Sequence, residues 1–563
     1  MGWVPGSPWT SKWQFSLSVY ISCSPDCQDL VSSLMEDYVP LWQKQCIDGG
    51  CSLTPCHFQP SALAQYPVNT DYMMSVCSTE CDRSNIFVCF LKEKNSQSLK
   101  LEVEHGHLNN PLARPSVFLL IPSSMRSKSA GDGGGGGEVL ECVEDGSESL
   151  QWVSEQIQTI LRKEFSVGGV VEGDSEEVMG RMGQLEDMRA EWHQRKTLEH
   201  YVHRAPPELF GVETVYDRLE EYMREEGPVL PLLLTGHPGL GKSTLLAKWI
   251  DRMERGGSKT NLILYHFVSC LGSSSAEPGV IFGRLLKKIR YVCGEASSLP
   301  TVPSQLMESF TDSLERLSVA KVEEGGMAVI VIDGADLIKE CEQSLYWLLQ
   351  PLPQNIRVVL SANEENYPDS WRALPSPSIP TPTAQEMQDI VEYMVAGRDS
   401  LNLEQVGALA VEGPAIPLWG VLATQHALSV SAATSEEMDA IIDTLVTEQE
   451  VEDLTCLILR ELEESYPWMA RSIEQVLKVI YWSRNGVLFG ELLDITGLAD
   501  TLLRLTVCEL QRRSILQTCG GLLQLTHHDR SGCCSTQVTV TCRPVKVCCS
   551  GLSNSLPTIS SLQ

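Results

Sequence analysis

The sequence predicts an α/β protein: a parallel sheet sheathed by helices, with a smaller strand-and-helix unit before it and a helical stretch behind it. Three observations carry this expectation. Four nearly unbroken apolar runs, at 229–235, 262–268, 328–332 and 356–361, are separated by helix-length segments. Strands apolar on both faces belong to parallel sheets covered on both sides. The first run leads into a glycine-rich turn that opens a helical pattern, and beyond residue 385 the strand pattern stops in favour of helical spacing.

Taken in order, residues 15–22 (FSLSVYIS) alternate and are rich in β formers, 28–45 have helical apolar spacing, and 85–91 and 117–121 are buried-strand runs. Together they predict a small α/β domain over 1–122. Residues 123–150 open with SSMRSKSAGDGGGGG and read as a flexible linker. A charged helical connector is expected over 151–206; a solvated helix suits it better than a coiled coil, because heptads are not sustained. The sheet core should occupy 207–384. Helical segments at 385–396, 401–411, 417–430 and 435–447 make a helical domain over 385–449, and a further compact unit covers 450–530. The tail 531–563 is polar at its end and holds five cysteines; disorder is the first reading and a metal site the second.

The chemistry lies in Gly236-His237-Pro238-Gly239-Leu240-Gly241-Lys242-Ser243, followed by Thr244 and an apolar helical run. Strand, glycine turn and helix in that order are the context that identifies a phosphate-binding loop. The glycines let backbone N–H groups point at phosphate oxygens, and the helix adds its positive end. Lys242 would reach the β- and γ-phosphates and Ser243 would ligate Mg2+. At the end of the run AVIVI stands Asp333, expected to hold Mg2+ opposite Ser243. Asp336 would orient or deprotonate an attacking water. Ser361 and Asn363, ending the last strand, stand where γ-phosphate sensors sit. The implied cofactors are ATP or ADP with Mg2+.

Composition narrows the partners. With 43 basic and 73 acidic residues the formal charge is −30, which argues against nucleic acid and anionic membrane. No apolar run approaches the roughly 18 residues of a membrane span, and the first residues do not read as a signal peptide. A cytoplasmic protein with reduced thiols is expected. Eight of the 20 cysteines fall in the first 89 residues, irregularly spaced, favouring buried thiols over zinc.

These motifs resemble the signal-transduction ATPases with numerous domains, of the NACHT type, in the branch holding nephrocystin-like, telomerase-associated and TPR- or WD-repeat proteins. The resemblance rests on the phosphate loop, on Asp333-Gly334-Ala335-Asp336 and on HFVSCLGSSS at 266–275. It implies that Leu209-Phe210-Gly211-Val212-Glu213 lines an adenine pocket, with Val212 where arginine is usual. It implies that Gly413-Pro414-Ala415-Ile416-Pro417-Leu418 brings Pro417 near the base. Ser483–Leu488 and the following ELLDITGL would form a winged helix, and His528 of Thr526-His527-His528-Asp529 would sense the β-phosphate of ADP. The stretch from Ser18 to Cys46 looks like a flavodoxin/TIR-like domain with a degenerate motif and no recognisable catalytic glutamate. Leu337 follows Asp336 where a further acid is usual. Relatives carry C-terminal repeats, so a shortened form of a longer repeat protein is expected.

The implied function is a slow Mg-dependent ATPase switch for assembling protein complexes, with other proteins as partners and a nucleotide-dependent homo-oligomer as one outcome. The alternative is a nucleotide-binding scaffold without useful turnover. A metabolic kinase fits poorly with the C-terminal helical units.

Overall fold

The computed structural model describes residues 16–525 apart from 49–50, 59–64, 68–69, 92–96, 109–114, 121–136, 142–145, 164–189, 192, 204, 257–260, 269–274, 296–298, 301, 397–400, 431–433, 484–485 and 520–521. Its first layer follows from alternation along five short strands. These are β1 (Ser16–Cys23), β2 (Ser52–Cys56), β3 (Ile86–Leu91), β4 (Ser116–Leu120) and β5 (Gly137–Glu141). They pair in parallel in the order β2-β1-β3-β4-β5. Leu17, Val19, Ile21, Ile86, Val88, Phe90, Val117 and Leu119 share one face and one cluster with the helical residues Val31, Leu34 and Trp42. Tyr20, Phe87, Cys89 and Phe118 point the other way, against Cys81 of the helix Thr70–Arg83 and Leu99 of the helix Gln97–Val103. A period of two therefore divides the sheet between two apolar layers.

This unit extends past the residue where the sequence pattern ends it. β5 and the helix Gly146–Lys163 occupy ground expected to be linker (123–150) and connector (151–206). Leu150, Val153, Ile157 and Leu161 recur every three or four residues and lie in the β1 cluster, and the Trp42 indole N–H donates to Ser154 Oγ at 3.0 Å. Charged residues on the outer face, and the glycine run before a five-residue strand, disguise both elements. β2 has no counterpart among the expected strands: it is a short edge strand with Pro55 inside it, a placement that proline tolerates only at an edge.

The second sheet is parallel, ordered β6-β9-β8-β7, from β6 (Leu232–Gly236), β7 (Leu262–Phe267), β8 (Ala328–Asp333) and β9 (Ile356–Asn363). Outside β6, residues 375–379 continue the ladder: Leu233 and Thr235 donate their N–H groups to the carbonyls of Pro375 and Pro377, each at 3.0 Å. The β7 edge is covered by a side chain. Gln194 receives the Phe267 N–H at 2.7 Å and donates to the Phe267 carbonyl at 3.2 Å, which occupies backbone groups that would otherwise invite another strand. One apolar cluster spanning residues 198–379 fills this unit.

Eight helices follow: Ala384–Val395, Leu403–Val411, Pro417–Ser429, Ser435–Val446, Val451–Ser465, Ala470–Trp482, Phe489–Thr496 and Asp500–Arg512. A small antiparallel sheet, β10 (Val487–Leu488), β11 (Leu516–Cys519) and β12 (Leu522–Leu525), closes the described chain in the order β10-β12-β11. Thr383 and Asn402 start two of the helices with reciprocal capping bonds to Glu386 and Gln405. A single cluster from Met387 to Leu523 fills this unit and also takes in Tyr72 and Val76 of the first unit. Among the described residues no helix is long and apolar enough to cross a membrane. The eight N-terminal cysteines are free thiols, seven of them buried.

Candidate functional site

The phosphate loop takes its shape from two glycines. Gly239 and Gly241 have φ of 83° and 90°, backbone that side-chain-bearing residues avoid. Gly239 has a second constraint, since a Cβ there would lie 2.8 Å from Ile416 Cγ2. The helix Lys242–Gly256 starts at the motif lysine, so its first N–H groups and its dipole face the turn. Lys242 Nζ donates to the carbonyls of Gly236 at 2.6 Å and His237 at 2.9 Å. Its burial lowers its pKa, while Asp333, Asp336 and Glu364 oppose that shift. His237 and Pro238 are exposed, Leu240 is buried, and Thr244 lies inside the first helical turn.

Asp333 ends β8 beside the loop and is 4% exposed. Ser361 on β9 donates to its Oδ1 at 2.6 Å, and Ser243 hydrogen-bonds the same carboxyl. Burial pushes the Asp333 pKa up; Ser361, Ser243 and the Lys242 charge pull it down. Asp336 sits on the short 3-10 turn Ala335–Leu337. Burial raises its pKa to about 6, against backbone N–H groups that include that of Asn363. A carboxyl tuned upward beside a phosphate loop suits a group that exchanges protons with water.

The structure thus brings Gly236–Thr244, Asp333 and Asp336 to one sheet edge. It departs from expectation at Ser361. That side chain is 1% exposed and committed to Asp333 and to the Gly334 N–H, which it accepts at 2.8 Å. Its one hydroxyl proton is given to the carboxylate. Asn363, at the rim, accepts from the Glu365 N–H at 3.3 Å. Two acids missed in the sequence border the loop: Glu364 pairs with His237 Nε2 at 2.5 Å, and Glu365 stands 3.8 Å from its Nδ1. Their adjacency to the last strand was visible, but only the fold turns them toward His237.

Further elements converge on the same loop. Leu418 donates its N–H to the Gly239 carbonyl at 3.3 Å, and Pro417 is the first residue of the helix that follows. Gly211 has φ of 71°, and a Cβ there would meet the Glu386 carboxyl at 2.7 Å. Phe210 is partly buried beside it, and Val212 is packed in the core. His528 and its neighbours 526–529 lie outside the described residues. The donor set fits a nucleotide: backbone N–H groups and Lys242 for phosphates, and the Ser243 and Asp333 oxygens for a hard divalent cation.

Fold and loop together define an AAA-type P-loop NTPase unit; residues 229–367 match the AAA domain family. Residues 12–134 match the nephrocystin-3 domain. Over 540 residues the chain is 26% identical to nephrocystin-3 of Xenopus laevis, covering 92% of this chain and 40% of that one. The human nephrocystin-3 is 25% identical over 560 residues with the same coverage, so the chain spans 40% of the length of these relatives. Telomerase protein component 1 of Rattus norvegicus is 22% identical over 225 residues, 38% of this chain and 8% of that protein. Among solved structures, a signal-transduction ATPase with a tetratricopeptide repeat sensor from Pyrococcus horikoshii is 12% identical over 55% of this chain and 40% of its own, with a TM-score of 0.33.

Proposed function

We propose that this chain is a nucleotide-dependent switch of the NACHT type of signal-transduction NTPase, working in the assembly of protein complexes. The observation that carries the reading is the double use of Gly239. It belongs to the turn that would cradle phosphate, and its carbonyl accepts the Leu418 N–H from the helical unit at 3.3 Å. A phosphate that reorients this turn acts directly on the first contact of the helices behind it. That is the arrangement a switch requires, because a ligand shifts an equilibrium only through contacts that differ between its states. ATP or ADP with Mg2+ is the ligand, held by Lys242, Ser243 and Asp333. In this reading the first unit is a flavodoxin/TIR-like domain, consistent with its 2-1-3-4-5 strand order. The winged-helix-like domain expected over 450–530 is consistent with the helices Phe489–Thr496 and Asp500–Arg512 and the three-stranded antiparallel sheet. The test is the nucleotide carried by purified protein together with its self-association in ADP and in a slowly hydrolysed ATP analogue. Equal association in both nucleotides rejects the switch.

A second reading, a nucleotide-binding scaffold without turnover, draws on one feature. Gly334 follows Asp333, and Leu337, 37% exposed, follows Asp336. Asp336 is then the sole carboxylate within this turn available to activate water. Phosphate release at saturating Mg-ATP separates the two readings.

A further inference from the structure

The N-terminal α/β unit shares buried surface with the C-terminal helices. Tyr72 and Val76 lie in the cluster running from Met387 to Leu523, while the nucleotide core closes a cluster of its own. At the middle of that junction sits Arg504, 2% exposed, on the helix Asp500–Arg512. Its guanidinium donates to Glu80 Oε2 at 2.5 Å, to the Pro55 carbonyl at 2.8 Å and to Asp500 Oδ2 at 2.8 Å. It also lies 4.4 Å from the centre of the Phe489 ring. Glu80 is 7% exposed. Eight residues further along the helix, Arg512 covers the Tyr72 ring at 5.5 Å, and the Tyr72 hydroxyl donates to the Leu505 carbonyl at 3.4 Å. Two of the three Arg504 hydrogen bonds cross between the units, and both land on the first unit's edge strand or the helix beside it. A buried ion pair is a specific joint and a weak one. Its attraction roughly offsets the desolvation of its partners, and water solvates both charges again once they separate.

The same helix is tied by polar contacts to the phosphate loop. Gly239 accepts from Leu418 at the start of the helix Pro417–Ser429. On that helix His426, fully buried, accepts on Nδ1 a hydrogen bond from Arg513 Nη1 at 2.7 Å and donates its Nε2–H to Glu461 Oε2 at 2.6 Å. Arg513 and Arg512 both donate to Glu509, which is 0% exposed. Arg512 also donates to the Ser429 carbonyl at 2.9 Å. Loop, helix 417–429 and helix 500–512 are thus joined by directional bonds that a rigid shift of any one would disturb.

We propose that the Arg504–Glu80 pair is a releasable clasp holding the N-terminal α/β unit on the C-terminal helices, and that occupancy of the phosphate loop changes its closure through helices 417–429 and 500–512. The clasp stands on its own geometry; the coupling rests on the nucleotide reading above. Closure can be read by a disulfide across the junction. A Cβ on Gly490 would lie 3.4 Å from Thr54 Oγ1, so Thr54→Cys with Gly490→Cys reports docking in the full chain, the 54–490 bridge being quantified by peptide mass. Without nucleotide the bridge should form readily, and Glu80→Gln, which keeps an acceptor but removes the charge, should slow it about fivefold or more. Glu80→Leu with Arg504→Met leaves no buried charge unpaired, since Asp500, the other partner of Arg504, is 43% exposed and returns to water, so it should bridge at least as fast as the parent and lose its nucleotide response. Bridging unaffected by Glu80→Gln, or absent in the folded parent, overturns the clasp. Equal bridging rates in Mg-ADP and in a slowly hydrolysed Mg-ATP analogue, with binding of both verified by titration, overturn the coupling and leave the nucleotide reading standing. If titration shows no binding, the nucleotide reading and the coupling fall together, and the Glu80→Gln result still decides the clasp.

Discussion

Ser361 and Asp333 stand on neighbouring parallel strands, and the Ser361 hydroxyl donates to Asp333 Oδ1 at 2.6 Å while receiving the Gly334 N–H at 2.8 Å. The serine therefore fixes both the carboxylate and the turn that leads to Asp336. Ser361→Ala leaves a buried carboxylate short of one donor, at a cost of about 1–3 kcal/mol. Mg-nucleotide affinity should fall by roughly 5- to 150-fold on that basis, with Mg-free nucleotide binding changed less. Calorimetric titration with and without Mg2+ checks this, and equal losses in the two conditions would contradict the positioning role.

Lys242→Ala should remove ATP binding while the protein stays folded. The ammonium bonds only the loop carbonyls of Gly236 and His237, which water can serve instead. Titration of a mutant with wild-type circular dichroism is the measurement; retained affinity would discredit the phosphate-loop assignment.

Asp333→Asn should suppress Mg-dependent phosphate release by roughly 100-fold or more, since several kcal/mol of charge stabilisation rest on the metal. Nucleotide binding should weaken much less. Parent protein that binds Mg-ATP and releases no phosphate would instead favour the scaffold.

The first unit should lose stability as pH rises from about 4.5 to about 7. Glu102 hydrogen-bonds Ser22, and its burial raises its pKa to about 7 from 4.5. A raised folded-state pKa means the folded form binds the proton more tightly than the unfolded one. Its contribution is complete below the unfolded value and is lost on passing the folded value. The span corresponds to up to about 3 kcal/mol. Chemical denaturation of the full chain at several pH values, followed by Tyr and Trp signals, should show the slope, and Glu102→Gln should flatten it. An identical slope in the variant would rule Glu102 out as its source.

Local order was legible wherever it fixes the answer by itself. The helices from 384 onward announce themselves by spacing and by capping pairs such as Thr383–Glu386. The phosphate loop is a contiguous string whose glycines dictate its curl, and β8 ends in the acid its position requires. These features depend on neighbours in the chain, and periodicity or residue type reports neighbours. Tertiary structure decided what depends on partners distant in sequence. It enrolled β5 and the helix 146–163 in the first sheet, because burial of Leu150, Val153, Ile157 and Leu161 outweighs a polar surrounding composition. It turned Ser361 inward to Asp333, because β9 lies beside β8. It also set Arg504 against Glu80, 424 residues away. No local pattern marks such a pair, since a charge is driven into the interior only where folding supplies its counter-charge.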